Sequence, residues 1–135
     1  MVEAQINKLL STKKENKIVD KQLPDIKDTI AFEEFAKLDI RVVTVLEAER
    51  MKKSKKMLKL SVDTGKGIKT VLSGVSEYYT PEALIGKQVT MLINLAPRKM
   101  MGIESEGMIL MAEDLDGTLR IVGPDQSTNP GSIIN

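Results

Sequence analysis

The sequence contains neither cysteine nor histidine, and these two absences exclude most of the common catalytic chemistries. Without cysteine the chain can form no disulfide and no reactive thiolate, a composition that suits a reducing cytoplasm. Without histidine it lacks the imidazole base of serine and cysteine hydrolases, and no nitrogen or sulfur ligand set remains for zinc. We therefore predict neither a metal site nor a cofactor.

Long apolar runs and an excess of charge of one sign are also missing. No stretch approaches the length of a transmembrane helix, and the first residues lack the apolar block of a signal peptide. We expect a cytoplasmic protein without membrane association. The chain has 20 lysine and arginine residues and 19 acidic residues, a net charge of +1. Any nucleic-acid site must therefore arise from local clustering of charge.

Aromatic residues are few and badly placed for stacking on single-stranded nucleic acid. Phe32, Phe35, Tyr78 and Tyr79 all fall outside the predicted strands, whereas sequence-tolerant single-strand binders expose rings along theirs. We expect both phenylalanines and one tyrosine to lie in the core. A nucleic-acid ligand would then be a folded RNA, recognised by its shape and backbone.

The chain divides into two segments of different composition. In residues 1–28, Ile6, Leu9 and Leu10 follow helical spacing and predict a short helix, either free or packed on the domain. A polar stretch interrupted by Pro24 follows and predicts a solvated linker. Residues 29–135 indicate one domain.

The domain alternates short strands with turn signals. Strands are predicted from β-branched or alternating apolar residues at 40–46, 58–62, 68–72, 89–93 and 108–112. Thr80 and Pro81 begin a small helix between strands three and four, and Asp116-Gly117 predicts a hairpin to residues 119–122. This order favours an all-β fold: a five-stranded oligonucleotide/oligosaccharide-binding (OB) barrel with a C-terminal extension. A β-sandwich is the alternative.

Two basic segments are the candidate binding residues. The denser one lies in the predicted loop between strands one and two and comprises Arg50, Lys52, Lys53, Lys55 and Lys56. The second is Arg98-Lys99, in a loop that an OB barrel would place near the first. Cationic side chains neutralise RNA phosphates and release counterions, so the two loops together predict one phosphate-binding surface. A merely solvated hairpin loop is the alternative for the first segment.

The best candidates for acid–base catalysis are the two carboxylates Glu104 and Glu106. They flank Ser105 in a loop without an apolar pocket, so we expect both to be exposed to solvent. The glycines form neither a dinucleotide-binding fingerprint nor a phosphate-binding P-loop. The sequence predicts no catalytic residue.

Six blocks in order resemble one known family. They are FAKLDIRV (35–42), KMLKLSVD (56–63), VLSG (71–74), LIGK (84–87), NLAPRK (94–99) and SEGMIL (105–110). These blocks resemble the tRNA-binding domain shared by the C-terminus of bacterial methionyl-tRNA synthetases, stand-alone bacterial tRNA-binding proteins and eukaryotic synthetase-complex cofactors. The resemblance covers about residues 30–135.

The resemblance implies a non-catalytic domain that binds the outer corner of tRNA with little sequence preference. Appended to a synthetase, the domain would raise tRNA affinity for methionine aminoacylation and form a homodimer through an extension between Leu119 and Ile134. The implied tRNA-contacting residues are Lys55, Lys56, Ser73, Asn94, Arg98, Lys99 and Ser105, with Lys52 and Lys53 as extra charge in the first loop. Ser105 would also brace its loop, and Arg41 would either contact RNA or pair with Asp39. Residues 1–28 would come from the synthetase body.

Two rival functions remain open from the sequence. A related branch of the fold consists of dimeric, chaperone-like proteins that bind unfolded peptides, and Met57, Met100 and Met101 could supply adaptable apolar contacts for such a ligand. A structural dimerisation domain would keep the C-terminal interface but bind no RNA.

Overall fold

The computed structural model describes residues 23–135. The short helix predicted over residues 2–10, and the predicted linker up to residue 22, lie outside the described residues. Residues 23–30 are exposed and belong to no helix or strand.

The described residues form nine strands and two short helices. In chain order they are α1 (Phe32–Ala36), β1 (Ile40–Met51), β2 (Ser54–Asp63), β3 (Ile68–Ser73), α2 (Pro81–Leu84), β4 (Gln88–Leu92), β5 (Arg98–Met100), β6 (Ile103–Ser105), β7 (Met108–Ile109), β8 (Met111–Glu113) and β9 (Leu119–Ile121). The prediction of an all-β protein is confirmed.

The main sheet has five strands in the order β3-β2-β1-β4-β7, and every neighbouring pair is antiparallel. Because side chains alternate between the faces of a strand, Leu58, Leu60 and Val62 of β2 all point into the core. Val43 and Met91 enter the same core from β1 and β4, and neither has any exposed surface. The sheet therefore buries one face on a core of aliphatic side chains and Met91.

Strand β1 pairs with two neighbouring strands, one after the other along its length. Its first half pairs with β4, from Ile40 opposite Leu92 to Thr44 opposite Gln88, and its second half pairs with β2. The register shifts between Val45 and Glu47, where a bulge lets the strand bend from one partner to the other. The strand is longer than the predicted 40–46 because the hairpin with β2 continues its pairing to Met51.

The small helix α2 lies between β3 and β4, as predicted. The Thr80 side chain accepts a hydrogen bond from the backbone N–H of Ala83 at 3.2 Å, and Pro81 occupies the first turn. The helix ends at Leu84, which is buried, and Gly86 follows with a φ of +88°. The sequence therefore predicts the start of this element correctly.

A hairpin between β4 and β7 was not predicted. In it, strands β5 and β6 pair with each other around a two-residue turn. The hairpin from β8 to β9 through Asp116-Gly117 confirms the prediction, whereas the predicted strand 108–112 is divided into β7 and β8. The end of β6 and the residue after it are tied to the edge strand β3. The Glu106 N–H donates to the Thr70 carbonyl at 2.8 Å, and the Leu72 N–H donates to Ser105 Oγ at 3.0 Å.

The C-terminal segment pairs with the first half of β1. The N–H of Gly131 donates to the Val42 carbonyl at 2.7 Å, and the N–H of Val42 donates to the Ser132 carbonyl at 2.9 Å. Gly131 has a φ of +94°, and a Cβ atom on it would lie 2.7 Å from the Thr64 carbonyl oxygen. This contact fits only a glycine.

The expectation that both phenylalanines lie in the core is wrong. Phe32 is 74% exposed and Phe35 is 39% exposed, and their rings lie 6.2 Å apart at an angle of 48°. The helix α1 that carries them has five residues, none of them buried, and it precedes a sheet whose core is already filled by aliphatic side chains. Of the tyrosines, Tyr79 packs against the core and its hydroxyl accepts a hydrogen bond from the Ile121 N–H at 3.1 Å.

Candidate nucleic-acid interface

The β1–β2 hairpin carries the densest group of exposed cations. Lys52 and Lys53 form its two-residue turn, whereas Lys55 and Lys56 lie in strand β2 and not in the loop that the sequence predicted. The predicted loop was too long because lysine-rich sequence does not prevent strand pairing when the side chains face solvent. All four side chains are exposed.

The backbone beneath these lysines is held in place by its neighbours. The Lys56 carbonyl accepts a hydrogen bond from the Ser76 N–H at 3.1 Å, and the Lys56 N–H donates to Ser54 Oγ at 3.3 Å. The Arg50 guanidinium donates to Ser76 Oγ at 2.6 Å, so Arg50 is engaged within the protein. The lysine side chains therefore extend from a fixed strand end.

The β5–β6 hairpin presents the second pair of cations, Arg98 and Lys99, and both are exposed. Lys99 lies opposite Glu104, so a carboxylate stands across the hairpin from its ammonium group. Arg98 lies opposite Ser105, which carries no charge. Arg98 is therefore the better placed of the two for contact with a phosphate.

A groove beside the β5–β6 hairpin is lined in part by Arg98. Its volume is about 340 Å³, and it is lined by Met57, Leu72, Leu95, Ala96, Arg98, Met100, Ser105, Gly107 and Met108. Met57 follows Lys56 directly in β2, whereas Arg98 comes from β5. The fold thus brings Arg98 to the groove beside the end of the lysine-bearing hairpin.

Two residues after β5 fix the hairpin against β3. Ser105 is only 5% exposed, and its hydroxyl accepts from Leu72 N–H and lies 3.4 Å from the Gly107 carbonyl oxygen, to which it donates. The Glu106 carboxylate accepts from the Thr70 N–H at 3.1 Å and lies 3.7 Å from the Lys69 ammonium. Glu106 is thus occupied by contacts within the protein, and sequence reasoning missed this role.

Ser73 and Asn94 are placed differently from the other predicted contact residues. Ser73 is 8% exposed and lines a small interior cavity together with Val45. The Asn94 amide donates to the Lys37 carbonyl at 2.7 Å, and its oxygen accepts from the Asp39 N–H at 2.9 Å. Asn94 therefore joins the segment after β4 to the start of β1.

Between residues 23 and 135, no three histidine, cysteine or acidic side chains are grouped as a metal-binding set. No helix in the same part of the chain is long and apolar enough to cross a membrane.

Comparison with known proteins gives one consistent result. Residues 40–133 match the family model described as "Putative tRNA binding domain". The methionine–tRNA ligase of Cytophaga hutchinsonii is 50% identical over 133 residues, and that of Porphyromonas gingivalis is 52% identical over 132 residues. Each alignment covers 98% of this chain but 19% of the ligase, so the chain spans about a fifth of the length of these relatives.

Solved structures of similar fold include proteins of two kinds. The MetRS related protein from Pyrococcus horikoshii superposes with a TM-score of 0.76 at 33% identity, over 80% of this chain and 99% of that one. The chaperone CsaA from Bacillus anthracis superposes with a TM-score of 0.73 at 29% identity, over 80% of this chain and 100% of that one.

Proposed function

The chain belongs to the tRNA-binding domain family, and on that premise we propose that it binds tRNA through the cationic surface around the Arg98 groove. The observation that carries the proposal is that one groove is lined by Arg98 of β5 and by Met57, the residue that follows Lys56 in β2. Lys52, Lys53 and Lys55 continue this surface along the β1–β2 hairpin, and Lys99 adjoins it on β5.

The mechanism is electrostatic and independent of base sequence. With a net charge of +1 the whole molecule attracts RNA weakly, so the local group of exposed cations must supply the affinity. Each phosphate that a cation neutralises releases condensed counterions, and a surface of about five contacts gives a log–log salt slope of roughly −3 to −4. Such a surface binds many tRNAs alike because all of them share the backbone.

The same proposal includes an OB barrel. The hydrogen bonds from Glu106 to Thr70 and from Leu72 to Ser105 join the edge strand β3 to the segment between β6 and β7. They support closure of the five-stranded sheet on itself, as does the location of α2 between β3 and β4. A closed barrel would explain why segments distant in sequence share one groove.

We further propose that the domain is the C-terminal part of a methionine–tRNA ligase and raises its tRNA affinity for aminoacylation. The alignments with ligases cover 98% of the chain, so they extend into residues 1–28 as well. A tethered second contact acts intramolecularly, with an effective concentration on the order of mM for a short linker. A weak tRNA-binding domain is therefore sufficient. The domain itself supplies no catalytic group, and the compartment is the cytoplasm.

Homodimerisation through residues between Leu119 and Ile134 is part of the same proposal. Three large apolar side chains of this extension are exposed, with Val122 at 41%, Ile133 at 64% and Ile134 at 39%. A second copy would cover them. Sedimentation velocity over a range of protein concentrations tests this arrangement, and a monomer at the highest concentration would refute it.

The experiment that tests tRNA binding is filter binding of unfractionated tRNA from low to high salt. The expected result is binding at low salt with the slope stated above. A tRNA affinity that does not change with salt concentration would contradict the proposed phosphate-binding surface. A strong preference for one tRNA would contradict recognition through the backbone.

A second candidate function is peptide binding, favoured by the superposition on the chaperone CsaA and by the apolar lining of the groove. Met57, Met100 and Met108 would then contact apolar peptide side chains. Competition between tRNA and an unfolded polypeptide separates the two functions. If the groove binds peptide, the polypeptide displaces the domain from tRNA; if tRNA is bound only by exposed cations, it does not.

A further inference from the structure

The groove beside Arg98 has a chemistry that phosphate binding alone does not use. Methionine and leucine side chains form most of its lining, namely Met57, Leu72, Leu95, Met100 and Met108. Leu95 is 38% exposed and Met108 is 46% exposed, so these apolar groups face solvent around the groove. A surface for the RNA backbone alone has no need of an apolar cleft.

The groove suits a small flat ligand. Its volume of about 340 Å³ lies near the lower end of the range of roughly 300–1,000 Å³ found for small-molecule sites. One nucleobase with its ribose fits a space of this size, whereas a folded peptide segment or a duplex does not enter it. Bases that leave a stack are held between apolar or aromatic side chains in proteins that bind them.

The charge at the rim decides which flat ligand is favoured. Arg98 lines the groove itself, and the exposed Lys56 precedes Met57. A base carries a phosphate on each side of its sugar, so a nucleotide places its ring in the cleft and a phosphate against Arg98. A neutral apolar ligand would leave this complementarity unused.

The floor of the groove is rigid. A Cβ atom on Gly107 would lie 2.8 Å from the Leu92 carbonyl oxygen, so the backbone there is packed directly against β4. Ser105 and Glu106 on the preceding side are hydrogen-bonded to β3. The cleft is therefore preformed, and ordering it on binding costs little free energy.

From these contacts we infer that the groove takes one unpaired nucleobase of a folded RNA while Arg98 binds an adjoining phosphate. The inference rests on the proposed function and specifies which kind of RNA the domain prefers. The preferred RNA has an unstacked base next to a stem, and a blunt duplex with the same number of phosphates binds less tightly. Base identity is not read, because the groove lining offers mainly aliphatic and thioether contacts.

Methyl NMR of the domain labelled at its methionine methyl groups tests the inference directly. Three RNAs are compared: a stem–loop, the same stem–loop with abasic loop residues, and a blunt duplex. We expect ring-current shifts at the methyls of Met57, Met100 and Met108 with the stem–loop only. Met111, which packs against the core beside an interior cavity and is not part of the groove lining, serves as the internal control and should not shift with any of the three.

A substitution pair tests the same point through affinity. Leu95→Ser should weaken binding of the stem–loop on the order of fivefold, the lower end for stacking of one base, and leave duplex binding unchanged. Ile68→Ser is the matched control, since Ile68 is also exposed but lies at the start of β3, outside the groove. It should alter neither affinity.

The outcomes distinguish the two proposals. If all three RNAs bind and shift the groove methyls equally, or if none of them shifts these methyls, the nucleobase site is wrong and the phosphate surface remains. If no RNA binds, the proposed function fails with it. If an unfolded peptide shifts the methyls of Met57 and Met108 and the stem–loop does not, the groove is a peptide site.

Discussion

The guanidinium of Arg41 forms two hydrogen bonds with the carboxylate of Asp39, from Nε to Oδ1 at 2.7 Å and from Nη2 to Oδ2 at 3.2 Å. The hydrogen bond with Asp39 raises the pKa of Arg41 above its ordinary value, with the attraction between the two charges acting in the same direction and desolvation opposing both. The bidentate geometry uses the donors that a phosphate would need. Of the two roles open for Arg41 in the sequence, the structure favours pairing with Asp39.

Arg41→Gln is therefore expected to leave tRNA affinity within about twofold, the usual limit for a surface substitution away from a binding site, and to lower the melting temperature slightly. Arg98→Gln is the comparison, because it removes the same charge from the groove. Filter binding and thermal unfolding measure the two effects. An equal loss of affinity in both variants would place Arg41 in the RNA contact.

The triple substitution Lys55→Gln, Lys56→Gln, Arg98→Gln should weaken binding of all tRNAs to a similar degree. Removing one cation that binds a phosphate makes the log–log salt slope shallower by about one. The matched control is Lys66→Gln, Lys87→Gln, Arg120→Gln, which removes the same charge from exposed positions outside the groove. Salt titrations of both proteins are the measurement. Should the control reduce the slope as much, net charge and not the groove surface governs binding.

Ser105→Ala should destabilise the domain by about 1–3 kcal/mol, since the Leu72 N–H would be left without its acceptor in a buried position. Ser127→Ala, at an exposed position, is the control and should have little effect. Urea unfolding gives both values. Amide exchange of Leu72 should accelerate in the first variant alone, and an unchanged rate there would mean that the hydroxyl does not hold the β5–β6 hairpin to β3.

Gly131→Ala should destabilise the protein more than Gly117→Ala. Both glycines have positive φ, +94° and +88°, so alanine meets backbone strain of roughly 1–2 kcal/mol at either site. Only at position 131 would the new Cβ also clash, at 2.7 Å from the Thr64 carbonyl oxygen, whereas nothing lies within 4 Å of it at position 117. Thermal unfolding measures the difference. Equal losses of stability would show that the C-terminal segment does not depend on this close approach to the β2–β3 turn.

The Asp116 carboxylate gives a prediction about pH. Its pKa is lowered from 3.8 chiefly by the hydrogen bond from the Thr118 backbone N–H, whose donor nitrogen lies 3.0 Å from Oδ1. A carboxyl group with a lowered pKa in the folded state contributes stability above its unfolded pKa, and this contribution disappears as pH falls through the folded value. Asp116→Asn should therefore melt below wild type at neutral pH, with the difference vanishing well below pH 3.8.

The control for this comparison is Asp125→Asn, which removes the same charge from an exposed residue outside the turn. Its difference from wild type should not follow the same pH dependence. A carboxyl titration of Asp116 by NMR that gave the ordinary value would contradict the prediction.

Elements with a strong local signal were predictable from the sequence alone. The alternation of Leu58, Leu60 and Val62 specified both a strand and its buried face, and Thr80 with Pro81 specified the start of α2. In these places the residues that form the element also determine its geometry, so no distant contact was needed. The six family blocks added the fold family, which residues 40–133 confirm.

The β5–β6 hairpin was missed because its turn has no recognisable residue pair. Met101 and Gly102 both have positive φ, 51° and 80°. Asn-Gly is the usual sequence signal for a turn of this conformation, which methionine seldom adopts. The hairpin is held by contacts with β3 through Ser105 and Glu106, more than thirty residues away in sequence.

The burial of Phe32 and Phe35 was predicted wrongly for a related reason. Their apolar character indicates burial, but the sequence of α1 does not show that this helix lies outside the core.

The sequence thus determined the absence of imidazole and thiol chemistry, the approximate positions of strands β1 to β4 along the chain and the identity of the cations. Only the tertiary structure decided that Arg98 shares a groove with Met57, that Ser73 faces inward and that Glu106 is occupied by Thr70 and Lys69. Local patterns act over a few residues through side-chain periodicity and turn geometry. Which distant segments meet depends on how the sheet bends and on which edge each segment joins, and that is settled by hydrogen bonds between strands far apart in the chain.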